Sequence, residues 1–155
     1  MTEIGALSES LEDYLEVIFH LVEEKKVARV RDIAARKGVK MSSVVGALRR
    51  LSAVELIHYR AREYVELTDA GEELARLVAA RHEFLTNFFV EVLGVDSSTA
   101  ADEACSVEHV LAPNTMRRLR RFWKYVEANP KLRERFRELN PAGEIDVEAP
   151  LPDGI

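Results

Sequence analysis

Two short helical patterns separated by a glycine restrict this chain to few folds. Apolar spacing predicts one helix over 30–37 and another over 41–53, and Gly38 lies between them. Short helices joined by a tight turn that contains glycine are typical of a helix-turn-helix. We therefore predict this motif, with Met41-Ser42-Ser43 opening its second helix.

The residues after this motif predict a small hairpin. Two strand-like runs, 56–59 and 64–67, flank a four-residue segment that contains Arg60 and Arg62. A hairpin in this position is a wing that follows a recognition helix. The first domain is therefore predicted to be a winged helix-turn-helix.

The other apolar patterns predict amphipathic helices. Ser8 or Ser10 can cap the first helix, Thr68 and Asp69 cap the longest, and Gly94 ends it. The predicted spans are 8–25, 68–93, 96–111, 114–127 and 130–139. The expected fold class is mainly α, with a winged helix-turn-helix domain over 1–70 followed by a helical domain over 71–140. Prolines and low apolar content predict a flexible tail over 141–155.

Composition excludes several classes of protein. The chain has 155 residues, of which 47% are hydrophobic and 32% charged, so it can bury a core and is not wholly disordered. One cysteine excludes a disulfide framework within the chain. The acidic first residues, MTEIGALSES, do not resemble a signal peptide, and no apolar run approaches the roughly 20 residues of a membrane span. We expect a cytoplasmic protein.

Charge is distributed unevenly along the chain. The net charge is −5, but residues 25–62 hold eleven Lys or Arg against Asp32 and Glu55, which leaves +9 in that segment and −14 elsewhere. A local positive excess can neutralise nucleic-acid phosphates. The alternative is a solvated basic face without a partner.

One group of side chains has the chemistry of a metal site. Cys105, Glu108 and His109 have i, i+3 and i+4 spacing on a predicted helix and therefore share a face. Thiolate, carboxylate and imidazole all bind first-row divalent metals. Asp13 and Glu16 form a second same-face pair on the first helix. The alternatives are a small buried cysteine beside a surface Glu-His pair, and an ordinary surface pair of acids.

Several runs of residues resemble metal-dependent repressors of the diphtheria-toxin-repressor and manganese-transport-regulator family. The resemblance covers about residues 7–125. It rests on LEDYLE at 11–16, ARVRDIA at 28–34, SSV at 42–44, LTDAG at 67–71, RHE at 81–83 and DEACSVEH at 102–109. It implies that the helical domain serves dimerisation and metal binding, and that a bound divalent metal makes a homodimer competent for a palindromic DNA operator. It also implies a short form without the SH3-like domain of longer members.

The resemblance also implies a set of metal ligands. By position these are Asp13, Glu16, His82, Cys105, Glu108 and His109. Cys105 is similar to the iron-responsive branch, whereas Asp13 is similar to the manganese branch. Because a thiolate favours Fe(II) over Mn(II), we expect Fe(II) first and Mn(II) second. Metal affinity should fall below neutral pH, since the Cys105 thiol must deprotonate and the His109 imidazole must be neutral to bind metal. His20 lies on the face of Glu16, but the resemblance offers no ligand there.

The predicted DNA contacts lie on the recognition helix and the wing. Hydroxyls and cations suit contacts to phosphates and base edges. The candidates are Lys40, Ser42, Ser43, Arg49, Arg50, Arg60 and Arg62. The chain is thus interpreted as a repressor that controls metal uptake or homeostasis genes and not as an enzyme, because no hydrolase or redox motif is recognisable. The alternatives are a winged-helix regulator that responds to a small organic ligand or to thiol oxidation, and a metalloenzyme.

Overall fold

The computed structural model describes residues 7–60 and 64–139. These residues form seven α-helices and one two-stranded antiparallel sheet. The elements are α1 (Glu9–Lys25), α2 (Val30–Lys37), α3 (Met41–Ala53), β1 (Ile57–Tyr59), β2 (Val65–Leu67), α4 (Asp69–Phe88), a π-helical turn (Phe89–Leu93), α5 (Ser97–Val107), α6 (Pro113–Glu127) and α7 (Pro130–Leu139). The mainly α fold class with a winged helix-turn-helix is confirmed. The described residues divide into two compact units between Arg81 and His82, and this boundary falls within α4.

The N-terminal unit is built on a core shared by α1, α2, α3 and the sheet. Leu15, Ile18, Val44, Leu48 and Ile57 are almost completely buried in it. They come from the apolar faces of separate elements, and burying them together gives the main favourable contribution to folding.

The wing is attached to the loop between α1 and α2. In the hairpin, Ile57 pairs with Leu67 and Tyr59 with Val65. The Val65 backbone N–H also donates a 2.8 Å hydrogen bond to the Ala28 carbonyl oxygen. A two-stranded hairpin alone has marginal stability, so this added bridge helps to fix the wing.

The C-terminal unit packs around two small apolar clusters. Leu85, Ala104 and Met116 form one, and Phe88, Val92 and Val126 form the other. Aromatic rings join them, with the ring centroids of Phe84 and Trp123 6.3 Å apart in an edge-to-face arrangement. This geometry is favoured by the quadrupoles of the two rings.

Three local predictions differ from the structure. The helix predicted over 96–111 ends at Val107, and the last five residues of the helix predicted over 68–93 form the π-helical turn. Ser8 occupies the N-cap position of α1, but its side chain accepts no capping hydrogen bond. The wing-tip residue Arg62 and the predicted tail 141–155 lie outside the described residues. No helix within 7–60 and 64–139 combines the length and apolar character of a membrane span.

Candidate metal centre and nucleic-acid interface

A buried carboxylate lies beside two histidines in the C-terminal unit. The Glu108 side chain is fully buried. Its Oε2 is 3.1 Å from His82 Nδ1, and its Oε1 is 3.3 Å from His109 Nε2. Burying a carboxylate is costly unless its charge is compensated. Glu108 thus contacts two imidazoles through its two different oxygens, and both carboxylate and imidazole are donors that bind divalent transition metals.

The end of α5 determines where two of these donors lie. Asp96 caps the helix, because its Oδ1 accepts backbone N–H bonds from Ser98 and Thr99 at 3.0 and 3.1 Å. The hydrogen bonds from Thr99 and Ser98 hold the pKa of Asp96 down at about 2. Glu108 is the C-cap, and its N–H bonds to the Ala104 carbonyl at 2.9 Å.

The metal ligands predicted on α5 and directly after it differ in exposure. Glu108 and the His109 side chain are buried, whereas Cys105, one turn earlier on α5, is exposed. Glu108 has αR dihedrals, so the chain continues a helical path past Val107 and the predicted i, i+3, i+4 relation is approximately kept. The structure brings His82, Glu108 and His109 together, and it places Cys105 on the exposed side of α5.

The first-helix acids lie in the N-terminal unit beside a lysine. Lys37 Nζ is 3.4 Å from Asp13 Oδ2 and 4.8 Å from the centre of the Tyr14 ring. Glu16 is mostly buried, and its Oε1 is 3.6 Å from His20 Nε2. Two carboxylates that are partly removed from water can serve as hard oxygen ligands. Sequence reasoning missed Lys37, which lies 24 residues from Asp13 and has no local signal that would connect the two.

The recognition helix separates a buried from an exposed face. Val44, Ala47, Leu48 and Leu51 of α3 are buried. The exposed residues of this helix and its N-cap include Lys40, Ser42, Ser43, Arg49 and Arg50. Arg60 is exposed directly after β1. These six predicted contacts are therefore accessible to a partner from solvent.

Fold and site together define a winged-helix regulator with a candidate metal centre, and comparisons with known proteins agree. The family model "Iron dependent repressor, N-terminal DNA binding domain" matches residues 6–65. The family model "Iron dependent repressor, metal binding and dimerisation domain" matches residues 68–137.

Relatives of similar length are transcriptional regulators. The chain is 35% identical over 118 residues to the regulator MntR of Bacillus subtilis, which covers 76% of this chain and 82% of MntR. It is 32% identical over 117 residues to an uncharacterised HTH-type transcriptional regulator of Methanocaldococcus jannaschii, which covers 75% of this chain and 94% of that protein.

Solved structures show the same fold. IdeR of T. acidophilum matches with a TM-score of 0.64 and 27% identity, over 77% of this chain and 55% of IdeR. A manganese-dependent transcriptional repressor in complex with manganese matches with a TM-score of 0.60 and 30% identity, over 70% of this chain and 50% of that one. The chain thus spans about half the length of these solved relatives. It belongs to the family of metal-dependent transcriptional repressors that includes MntR and IdeR.

Proposed function

We propose that this protein is a DNA-binding repressor that a divalent transition metal activates. The observation that carries the proposal is the fully buried Glu108 carboxylate between His82 Nδ1 and His109 Nε2. Carboxylate and imidazole are donors that divalent transition metals bind, and each imidazole nitrogen lies within 3.3 Å of a Glu108 oxygen. A bound cation would supply the positive charge that a buried carboxylate requires.

The proposed ligand set draws on both units of the chain. The N-terminal unit contributes carboxylates and the C-terminal unit contributes imidazoles, a carboxylate and a thiolate. The full set is Asp13, Glu16, His82, Cys105, Glu108 and His109. Because the proposed ligands belong to both the DNA-binding and the helical part, metal binding and DNA binding become thermodynamically linked. A coupling of about 1–3 kcal/mol is typical, and DNA must then tighten metal binding by the same factor.

The proposed metal is Fe(II) first and Mn(II) second. Cys105 provides a soft thiolate, which raises affinity for Fe(II), whereas Asp13 and Glu16 are hard ligands that suit Mn(II). One solved relative is named a manganese-dependent repressor, whereas the matching family model is named for an iron-dependent repressor, so kinship alone does not choose between these metals. We further propose that the regulated genes serve metal uptake or homeostasis, and that the protein acts in the cytoplasm.

The proposed DNA complex is a homodimer on a palindromic operator. Residues 1–70 are assigned to DNA binding and 71–140 to dimerisation and metal binding, which the family matches over 6–65 and 68–137 support. The proposed contacts are Lys40, Ser42, Ser43, Arg49, Arg50, Arg60 and Arg62. In a two-fold dimer, the recognition helices would enter successive major grooves about 34 Å apart.

Anaerobic titration tests this proposal. Gel retardation of a genomic promoter fragment is measured with Fe(II), Mn(II), Co(II), Zn(II) or a chelator. We expect retardation to require metal and to be lost in Asp13→Asn, whereas Glu23→Gln, an exposed acid on the same helix, behaves like wild type. Arg49→Gln should weaken binding at saturating metal, whereas Arg31→Gln, an exposed cation outside the proposed interface, should not. Equal retardation with metal and with chelator would reject metal sensing in favour of an organic ligand or thiol oxidation.

A further inference from the structure

Helix α6 carries a row of exposed cations in the C-terminal unit. Arg117, Arg121 and Lys124 are four and three residues apart, so they lie along one side of the helix, and Arg118 lies next to Arg121. All four side chains are exposed. Sequence reasoning assigned positive charge only to residues 25–62, although residues 113–139 hold nine Lys or Arg against three acids.

Within the described part of the chain, no acid neutralises this row. None of the ion pairs within residues 7–60 and 64–139 involves the four cations, and the only acid in α6 is Glu127 at its last position. Like charges three and four residues apart destabilise a helix. The row is also a poor contact for its own copy, because cations would face cations. An anionic partner would remove this repulsion.

Exposed aromatic rings adjoin the cations. Phe122 and Tyr125 have 49% and 60% of their surface exposed. Helical periodicity places them on the side of α6 next to Arg118 and Arg121. We use the name arginine face for the six residues Arg117, Arg118, Arg121, Phe122, Lys124 and Tyr125. A partner that binds this face well would carry carboxylates or phosphates together with apolar groups.

The segment that follows α7 contains both carboxylates and apolar side chains. Residues 140–155 contain four acids and no Lys or Arg. Acidic and apolar residues alternate over 144–148, in the order Glu144, Ile145, Asp146, Val147, Glu148. Residues two apart in an extended chain are separated by about 6.6 Å, and residues four apart on a helix by about 6 Å. Three carboxylates in this segment therefore match the spacing of the cations along α6.

The connection is long enough for this segment to reach the face. Helix α7 packs against α6, and its ten residues span about 15 Å. Glu148 lies nine positions after Leu139, and a chain of this length reaches up to about 30 Å when extended. The fifteen residues of α6 span only about 22 Å.

We propose that the acidic segment 144–148 of the same chain covers the arginine face of α6. In this position it shields the cations from nucleic-acid phosphates. It thereby confines DNA binding to the winged-helix unit, because a polyanion has to displace a tethered competitor before it can bind α6. The proposal does not depend on which metal the protein binds, or on whether it binds one.

A double-mutant cycle on the full chain tests the proposal. The tail-neutral variant carries Glu144→Gln, Asp146→Asn and Glu148→Gln. The face-neutral variant carries Arg117→Gln, Arg121→Gln and Lys124→Gln. The probe is a random-sequence DNA duplex in the presence of chelator, and the readout is the slope of log affinity against log salt concentration. The control variant, Glu83→Gln with Asp102→Asn and Glu103→Gln, neutralises three exposed acids elsewhere and raises the net charge equally.

We expect the tail-neutral variant to have a slope steeper than wild type by roughly two to three, since each freed cation adds about 0.9. The control variant should keep the wild-type slope. In the face-neutral background, neutralising the tail should change nothing. Identical slopes for wild type and the tail-neutral variant would overturn the proposal and leave α6 as a site for DNA or another external polyanion.

Carbodiimide coupling provides a direct measurement. This reagent joins a lysine amine to a carboxylate only when the two are in contact. We expect mass spectrometry to find Lys124 coupled to Glu144, Asp146 or Glu148 within one chain at low salt, and much less coupling in 1 M salt. Absence of this product, or its formation only between two chains, would contradict the proposal.

Discussion

Substitution of Glu108 by Gln separates a metal ligand from a packing residue, because it removes the charge and keeps the size. In the metal-free protein, His82 and His109 face the carboxylate at 3.1 and 3.3 Å. An amide oxygen accepts a hydrogen bond from one imidazole, and the amide nitrogen donates one to the other. The metal-free stability should therefore change by no more than about 1 kcal/mol.

The metal-loaded protein should respond much more strongly to the same substitution. Loss of a second-shell partner lowers metal affinity by about 10–100-fold, so loss of a ligand should cost at least about 100-fold. Metal at 100 times its dissociation constant stabilises a fold by about 2.7 kcal/mol, and this falls to about 0.4 kcal/mol when affinity drops 100-fold. The lost stabilisation of about 2.3 kcal/mol corresponds to roughly 5–9 °C in Tm for a chain of this size.

Differential scanning calorimetry with metal and with chelator measures both quantities. The matched control is Glu103→Gln, an exposed acid on the same helix, which should keep the full metal-induced shift. Two results would refute the reasoning. In the first, Glu108→Gln retains the wild-type shift. In the second, it lowers the metal-free Tm as much as the metal-loaded Tm, which would make Glu108 a packing residue only.

Three further predictions concern other positions. Cys105→Glu should move the metal ranking from Fe(II) toward Mn(II) in anaerobic titrations, and an unchanged ranking would reject the argument from thiolate softness. The Thr99 and Ser98 hydrogen bonds lower the pKa of Asp96 from 3.8 to about 2, so its stabilisation is complete above about pH 4 and is lost as the pH falls toward 2. In the Asp96→Asn variant the side chain still caps α5 but has no carboxyl group to protonate, so the Tm of the variant should depend less on pH between about 4 and 2 than that of the wild type. The same pH dependence of Tm in both proteins would contradict this account. Gly71→Ala should destabilise the protein by about 1–3 kcal/mol in urea, because a Cβ there overlaps the Leu56 carbonyl oxygen. Gly46 lies within α3, and a Cβ added there has no atom within 4 Å, so Gly46→Ala should stabilise the protein by about 0.5–1 kcal/mol. Equal effects of Gly71→Ala and Gly46→Ala on stability would refute this difference between the two glycines.

Helix ends marked by strong local signals were predictable from the sequence. Gly38 and Gly94 end their helices with φ of 64° and 75°, a region that glycine enters without strain. Asp96 caps α5 as its sequence position indicates. The end of α5 at Val107 was not predictable, because the next residue that interrupts a helix is Pro113. The chain turns earlier, and Glu108 is buried beside His82 from another helix.

The candidate site was predictable only as a set of residue types. Spacing grouped Glu108 with His109, and the family resemblance added His82, but neither predicted that Glu108 would be completely buried. The contact between Lys37 and Asp13 depends on the packing of α1 against α2, which no local pattern contains. The cations of α6 were not predicted, because residues outside 25–62 were described only by their net charge. The acids in those residues outnumber the cations, so the net charge did not indicate a second basic segment.

The π-helical turn over Phe89–Leu93 makes this part of the chain tolerant of a change in length. Its closing bond runs from the Gly94 N–H to the Phe89 carbonyl, so it spans one residue more than an α-helical turn. Removing one residue there converts it into an ordinary α-turn and leaves the preceding helix and the Asp96 cap intact. The same deletion inside α4 rotates Leu85 and Phe88 by about 100° away from their clusters. A one-residue deletion is therefore tolerated at 89–93, where the π-helical turn already holds one residue more than an α-helical turn, and not within α4.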